Sequence, residues 1–171
     1  MHNKLPDEIL KQLYFAFVHS HITYAAEVYI NTYDAYFDKL NKLNNKILRI
    51  LQNKNRYCPI TLLYRNFNTL PPSKLHEQQI LLLLHKFFHH TDQLPAIFKD
   101  YFMFNSSVYN YNTRRNNNLH LESVNSSFGK RLLKFKGSVL WNGLPASMKE
   151  PMSIARFMKL TKILLLTDIN G

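Results

Sequence analysis

Four glycines in 171 residues are too few for the glycine-rich loop with which nucleotide hydrolases cradle phosphate, and Gly129 and Gly137, which stand in a basic segment, lack its spacing. Cys58 is the only cysteine, which excludes a disulfide framework and a cysteine-based zinc knuckle and points to a reducing, intracellular compartment, cytoplasm or nucleus. Acidic residues are scarce, 11 Asp and Glu against 22 Lys and Arg, and no two of them stand out as the paired carboxylates that acid–base catalysis requires. Long apolar runs are missing as well. The clean run at residues 80–84 stops at His85, far short of the ~20 residues of a membrane span. The opening MHNKLPDEIL has early acidic residues and no apolar signal core, so neither secretion nor a membrane partner is expected.

What remains is apolar, aromatic and basic. With 46% hydrophobic and 13% aromatic residues the chain has material for a packed core in one domain or a domain with an appendage. A net charge of +11 favours a polyanionic partner, nucleic acid ahead of an acidic membrane surface. The clearest element is TYDAYFDKLNKLNNKILRIL, residues 32–51. Tyr36, Leu40, Leu43, Ile47 and Ile50 recur at steps of four and three and define one stripe, widened by Phe37, Leu48 and Leu51, that is expected to face a core. Lys39, Lys42, Lys46 and Arg49 repeat the step one position earlier, about 100° round the helix, and are expected to face water or a partner. Thr32 as N-cap, Asp34 in the first turn, Arg49 in the last and Pro59 beyond mark its ends.

Around this helix the chain is expected to be mainly α, a multi-helix bundle with at most one small β-hairpin in the C-terminal third. Pro6 opens a helix to about residue 18 with Ile9, Leu10, Leu13 and Phe17 on one side, and residues 20–30 form a second, which completes a three-helix unit over 1–56. A helical continuation fills 57–104: Pro59 starts a short helix with Leu62, Leu63 and Phe67, the Pro71–Pro72 pair breaks it, and Ser73 caps a long helix to His89 that is buried on more than one side. NSSVYNYNTRRNNN, residues 105–118, reads as a loop or hinge. In 119–171, LHLES and GKRLLKF pair as a hairpin, or the second begins a helix; a helical turn around Trp141 and a final helix from Ser153, with Phe157, Leu160 and Leu164 inward, follow.

Chemistry finds few footholds. His85 and His89 stand one helical turn apart with His90 next, but Lys86 occupies the position where a zinc protease helix has Glu, so packing is the favoured reading; His19 and His21 flank a helix junction, where capping is the common use. No metal and no cofactor is expected. A second basic segment interleaves aromatics and amides: Arg114, Arg115, Lys130, Arg131, Lys134 and Lys136 are candidate phosphate contacts, and Tyr109, Tyr111, Phe128 or Phe135 candidate stacking platforms for unpaired bases. The plainer account makes Phe128, Leu132, Leu133, Phe135 and Trp141 core.

The run LYFAFVHSHITYAAEVYINTY, then YFDKLNKLNNKILRIL, the NTR of YNTRR, and SVLWNGLP followed by SIARFMKL resemble, in this order and over nearly the whole chain, the tail of reverse transcriptases from non-LTR (LINE-type) retrotransposons. The resemblance implies a thumb-like region from about residue 5 to 51 that leans on a template–primer duplex, and a C-terminal segment carrying the Leu-Trp-Asn signature. It implies RNA or an RNA–DNA hybrid as partner, together with the polymerase palm of a longer parent. Departures from the family pattern are Ser20 for Pro, Ala25 or Ala26 for Gly, Tyr29 for Trp and Met158 for Lys. The Tyr-x-Asp-Asp motif, whose aspartates hold the catalytic metals, is not in this sequence, so the chain by itself is expected not to be an enzyme. The competing reading is a basic helical protein-interaction module, or a remnant without function, whose charge only maintains solubility.

Overall fold

The computed structural model describes residues 5–26, 34–96, 100–110 and 115–168. The protein is mainly α-helical: α1 (Asp7–Leu13), a π-helical segment (Tyr14–His19), α2 (Ser20–Ala26), α3 (Asp34–Leu51), α4 (Ile60–Phe67), α5 (Pro72–His89), a 3-10 turn (Thr91–Gln93), α6 (Asn105–Val108), α7 (Ser127–Arg131), α8 (Leu133–Asn142), α9 (Ala146–Lys149) and α10 (Ile154–Thr167). They form two compact units, one of Met1–His76 with Lys162–Gly171 and one of Glu77–Thr161. This division cuts across the segments 1–56, 57–104, 105–118 and 119–171, and the Asn-rich stretch falls inside the second unit.

The scarcity of glycine shows in how helices end. Asn53 and Asn68 take the left-handed conformation, φ 50° and 51°, that usually falls to glycine after a helix. Lys54 N donates to the Arg49 carbonyl at 2.9 Å and Thr69 N to the Tyr64 carbonyl at 3.0 Å, so each asparagine turns the chain back onto its last helical turn. Thr32, the expected N-cap of α3, lies outside the described residues.

In the first unit α1 does not stop near residue 18 but passes through the π segment into α2. A π turn takes up one extra residue and delays the following positions by about 100°. Leu10 and Tyr14 are buried as one line of the helix, while Ile9 and Leu13, which precede the π segment, and Phe17 within it are exposed, although all three were expected inward with Leu10. The core gathers Tyr14, Leu48, Leu63, Tyr64 and Phe67, with Phe15, Val18, Ile47, Leu51 and Cys58 against it; a second cluster joins Leu70, Leu75 and Leu165 to Ile22 and Leu166.

The second unit is built on aromatic rings. Trp141, 3% exposed, lies 4.9 Å from Phe88 and 6.2 Å from Phe157, and Phe87 meets Phe102 edge-on at 5.2 Å. A Cβ added to Gly137 would stand 3.0 Å from Leu84 Cδ1, which makes the glycine the reason α8 approaches so closely there. The expected hairpin is absent: among the described residues no strand forms, and the β pairing is an isolated antiparallel bridge between Phe104 and Leu119. GKRLLKF follows the other reading given for it and is helical, as α7 and the start of α8, because Ser126 caps α7 by accepting from Gly129 N at 3.0 Å, and a local cap outweighs a weak strand pattern. The loop around residues 105–118 is stapled at its base, with Asn105 N donating to the Asn118 carbonyl at 2.9 Å and the Asn105 amide to the Arg115 carbonyl at 3.0 Å.

Candidate nucleic-acid interface

α3 is an 18-residue helix fastened on one side by a buried polar network. The Tyr14 hydroxyl donates to Asn44 Oδ1 at 3.2 Å, the Asn44 amide donates to the Tyr64 hydroxyl at 3.1 Å, and that hydroxyl donates to Asn45 Oδ1 at 2.6 Å. Burial raises the pKa of Tyr64 well above the usual phenol value, against the opposing hydrogen bond from Asn44, so the hydroxyl stays protonated and keeps its donor role. Tyr14 is raised for the same leading reason. Two tyrosine hydroxyls in an otherwise apolar core need partners, and Asn44 supplies one to each.

This network decides which way α3 faces. Phe37, Asn44 and Leu48 are buried, whereas Tyr36, Leu43 and Ile50, expected to face the core, are 60%, 61% and 59% exposed. The inward face is centred about 100° from the Tyr36–Ile50 line, on the side where Phe37, Leu48 and Leu51 were expected to widen the stripe, with Leu40 and Ile47 left half-buried at its edge. Periodicity counts an asparagine as polar and therefore missed Asn44, the residue around which the contact is built.

The basic stripe keeps its outward orientation. Lys39, Lys42 and Lys46 are exposed, and among the described residues none of them is in an ion pair. The Lys39 ammonium stands 5.6 Å from the centroid of the Tyr36 ring. Arg49 differs: it is half-buried, its Nε is enclosed with no hydrogen-bond partner, and its charge is felt by the Tyr64 hydroxyl.

The second basic segment is arranged otherwise. Lys134 Nζ sits 2.5 Å from Glu122 Oε1, and that hydrogen bond and charge hold the Glu122 carboxyl below the usual carboxylate range. The Arg131 guanidinium lies 5.9 Å from the Phe128 ring centroid and Lys136 is half-buried, while Lys130 and Arg115 are exposed. Arg114 and Tyr111 lie outside the described residues. Of the stacking candidates Phe128 and Tyr109 are exposed and Phe135 is half-buried.

The histidines pack. His85 is fully buried, its ring stacked on Phe157 at 4.2 Å with neither nitrogen hydrogen-bonded; desolvation, followed by the nearby His89 and His90, pushes its pKa down to about 4. His89 Nε2 donates to the Lys149 carbonyl at 3.0 Å and His90 Nε2 to that of Met152 at 3.3 Å. His19 rests on Phe15 at 5.0 Å, and burial, then the charge of Lys162, lower its pKa. Among the described residues no three His, Cys, Asp or Glu side chains are grouped to hold a metal ion, and no helix is long and apolar enough to cross a membrane. Compared with protein-family models, curated proteins and solved structures, the chain matches none.

Proposed function

We propose that this chain binds nucleic acid, RNA or an RNA–DNA hybrid, through phosphate contacts along α3, as the non-catalytic C-terminal part of a reverse transcriptase of the non-LTR retrotransposon kind. The observation that carries the binding reading is the display of Lys39, Lys42 and Lys46 on the exposed side of one fastened helix, with no ion pair among the described residues. Ammonium groups held along a rigid element meet successive phosphates without being withdrawn from carboxylates first. Arg49 at the last turn extends the stripe, and Arg115 and Lys130 offer a secondary contact. The retroelement reading is supported by the ordered motifs of the sequence, and it assigns polymerisation to a palm whose metal-binding aspartates this chain does not carry.

The test is filter binding of single-stranded RNA, duplex DNA and RNA–DNA hybrid over a salt series. Changing Lys39, Lys42, Lys46 and Arg49 together to Gln should leave the helical circular dichroism nearly unchanged and make the slope of log affinity against log salt shallower by about 0.7 to 0.9 for each phosphate no longer neutralised, roughly three units for four. A folded variant with the wild-type slope removes α3 as the interface.

A further inference from the structure

The stripe that was expected to be core is instead a surface. Tyr36, Leu43 and Ile50 are each about three-fifths exposed, and with the half-buried Leu40 and Ile47 they recur at steps of four and three, the spacing of the two seam positions of a coiled coil. The seam runs over about 21 Å at 1.5 Å per residue, the length of four helical turns. One flank of it, Phe37, Asn44 and Leu51, is turned into the protein's own core, so a partner can approach only from the other flank. That flank is Lys39 and Lys46, both exposed, and the acidic residue nearest in sequence, Asp38, falls on the far side of the helix from the seam, about 100° from Lys39 and about 80° from Lys46.

We propose that this face of α3 is a docking site for an acidic amphipathic helix of a protein partner, its apolar edge laid along Tyr36, Leu43 and Ile50 and its carboxylates beside Lys39 and Lys46. The occupant follows from charge. A second copy of the chain meeting this seam antiparallel would set Lys39 and Lys46 against the same lysines, and meeting it parallel would set them against Phe37, Asn44 and Leu51, which are covered. A phosphate backbone satisfies the lysines but leaves the leucine and isoleucine in water. A helix with seam leucines and flanking glutamates satisfies both, in the manner of a helix lying in a shallow apolar track. The proposal shares Lys39 and Lys46 with the phosphate reading, so the two occupants compete for those lysines; the apolar seam is needed by the acidic helix alone.

The probe is a synthetic acidic helix of about 20 residues, long enough to span the seam, with Leu at the seam positions and Glu at the flanks. It is compared by fluorescence anisotropy on the full chain with two controls, one with Lys at the flanks and one with Ser at the seam. The acidic leucine peptide should bind at least about tenfold more tightly than either control. Leu43→Gln with Ile50→Gln, a change at exposed positions, should abolish that preference while leaving the circular dichroism and the RNA salt slope as they were. Lys39→Glu with Lys46→Glu should transfer the preference to the basic peptide. Equal binding of the three peptides, or a preference that survives the two Gln substitutions, overturns the proposal. So does a concentration-dependent dimer in sedimentation that the same substitutions abolish, which would make the occupant a second copy, and so does a loss of RNA affinity in that variant, which would give the face to nucleic acid.

Discussion

α3 and the segment from residue 115 to 136 carry similar numbers of cations, and the structure puts them to different use. On α3 three lysines stand exposed with no ion pair among the described residues, on a helix whose opposite side is fixed by Tyr14, Asn44 and Tyr64. In the later segment Lys134 is paired with Glu122, Arg131 lies by Phe128 and Lys136 is half-buried. A charge that must leave a carboxylate before it meets a phosphate contributes less to binding than one that waits in water, whereas the ring contacts, Lys39 with Tyr36 and Arg131 with Phe128, are alike in the two regions. Counting basic residues in the sequence cannot see this difference, because it depends on which side chains the fold brings alongside them.

The largest expected effect divides the two regions directly. Lys130, Arg131, Lys134 and Lys136 changed together to Gln should reduce the RNA salt slope by no more than about one unit, against roughly three for the four α3 positions. Equal reductions from the two sets would erase the distinction. Next come the cores beneath them: Trp141→Ala should lower stability by about 3 to 5 kcal/mol and Leu48→Ala by about 2 to 5, while Leu43→Ala, on the exposed seam, should cost less than about 0.5 in urea melts. A Leu43→Ala cost as large as that of Leu48→Ala would return the seam to the core.

Tyr14→Phe is a smaller and sharper probe of the first unit. It deprives Asn44 Oδ1 of the Tyr14 hydroxyl that donates to it, and should cost about 1 to 3 kcal/mol, with the Trp141 fluorescence spectrum of the native protein unchanged. The second unit has its own probe in acid. His85 folds with its pKa depressed to about 4 from 6.5, so between those values the unfolded chain binds more protons. Its contribution is therefore fully present above about pH 6.5 and is lost as pH falls toward 4. His85→Phe should keep the stack on Phe157 and flatten that part of the stability profile, with little change at neutral pH; an unaltered pH profile would mean that other groups set the acid limit.

Most of the helices could be read from the sequence, because the signals that bound them are local. Pro6, Pro59 and the Pro71–Pro72 pair mark starts and breaks, and Pro6 and Pro59 stand immediately before α1 and α4. Trp141 was legible as a packed residue for the same reason that aromatic rings are rarely left bare amid apolar neighbours. The orientation of α3 was legible only in part: Phe37, Leu48 and Leu51 face the core as expected, whereas Tyr36, Leu43 and Ile50 do not. Its apolar stripe and its buried face differ by a rotation that two tyrosine hydroxyls on other helices impose through Asn44, and no window on α3 alone contains them. The hairpin failed on a finer balance, a serine cap against a short alternating pattern. Of the site residues, the lysines of α3 were legible as exposed because charge seldom goes inside, whereas the pairing of Lys134 with Glu122, twelve positions earlier, depends on how the chain between them turns.

The second unit is continuous in sequence, but the first draws Leu165 from beyond it to pack with Leu70 and Leu75. During synthesis, then, the segments of residues 77–161 are all in place before residues 162–168 arrive to complete the first unit. Until Leu165 and Leu166 have been added, the cluster of Leu70 and Leu75 lacks two of its apolar members, and transiently bare apolar surface of this kind is what makes incompletely folded chains prone to associate.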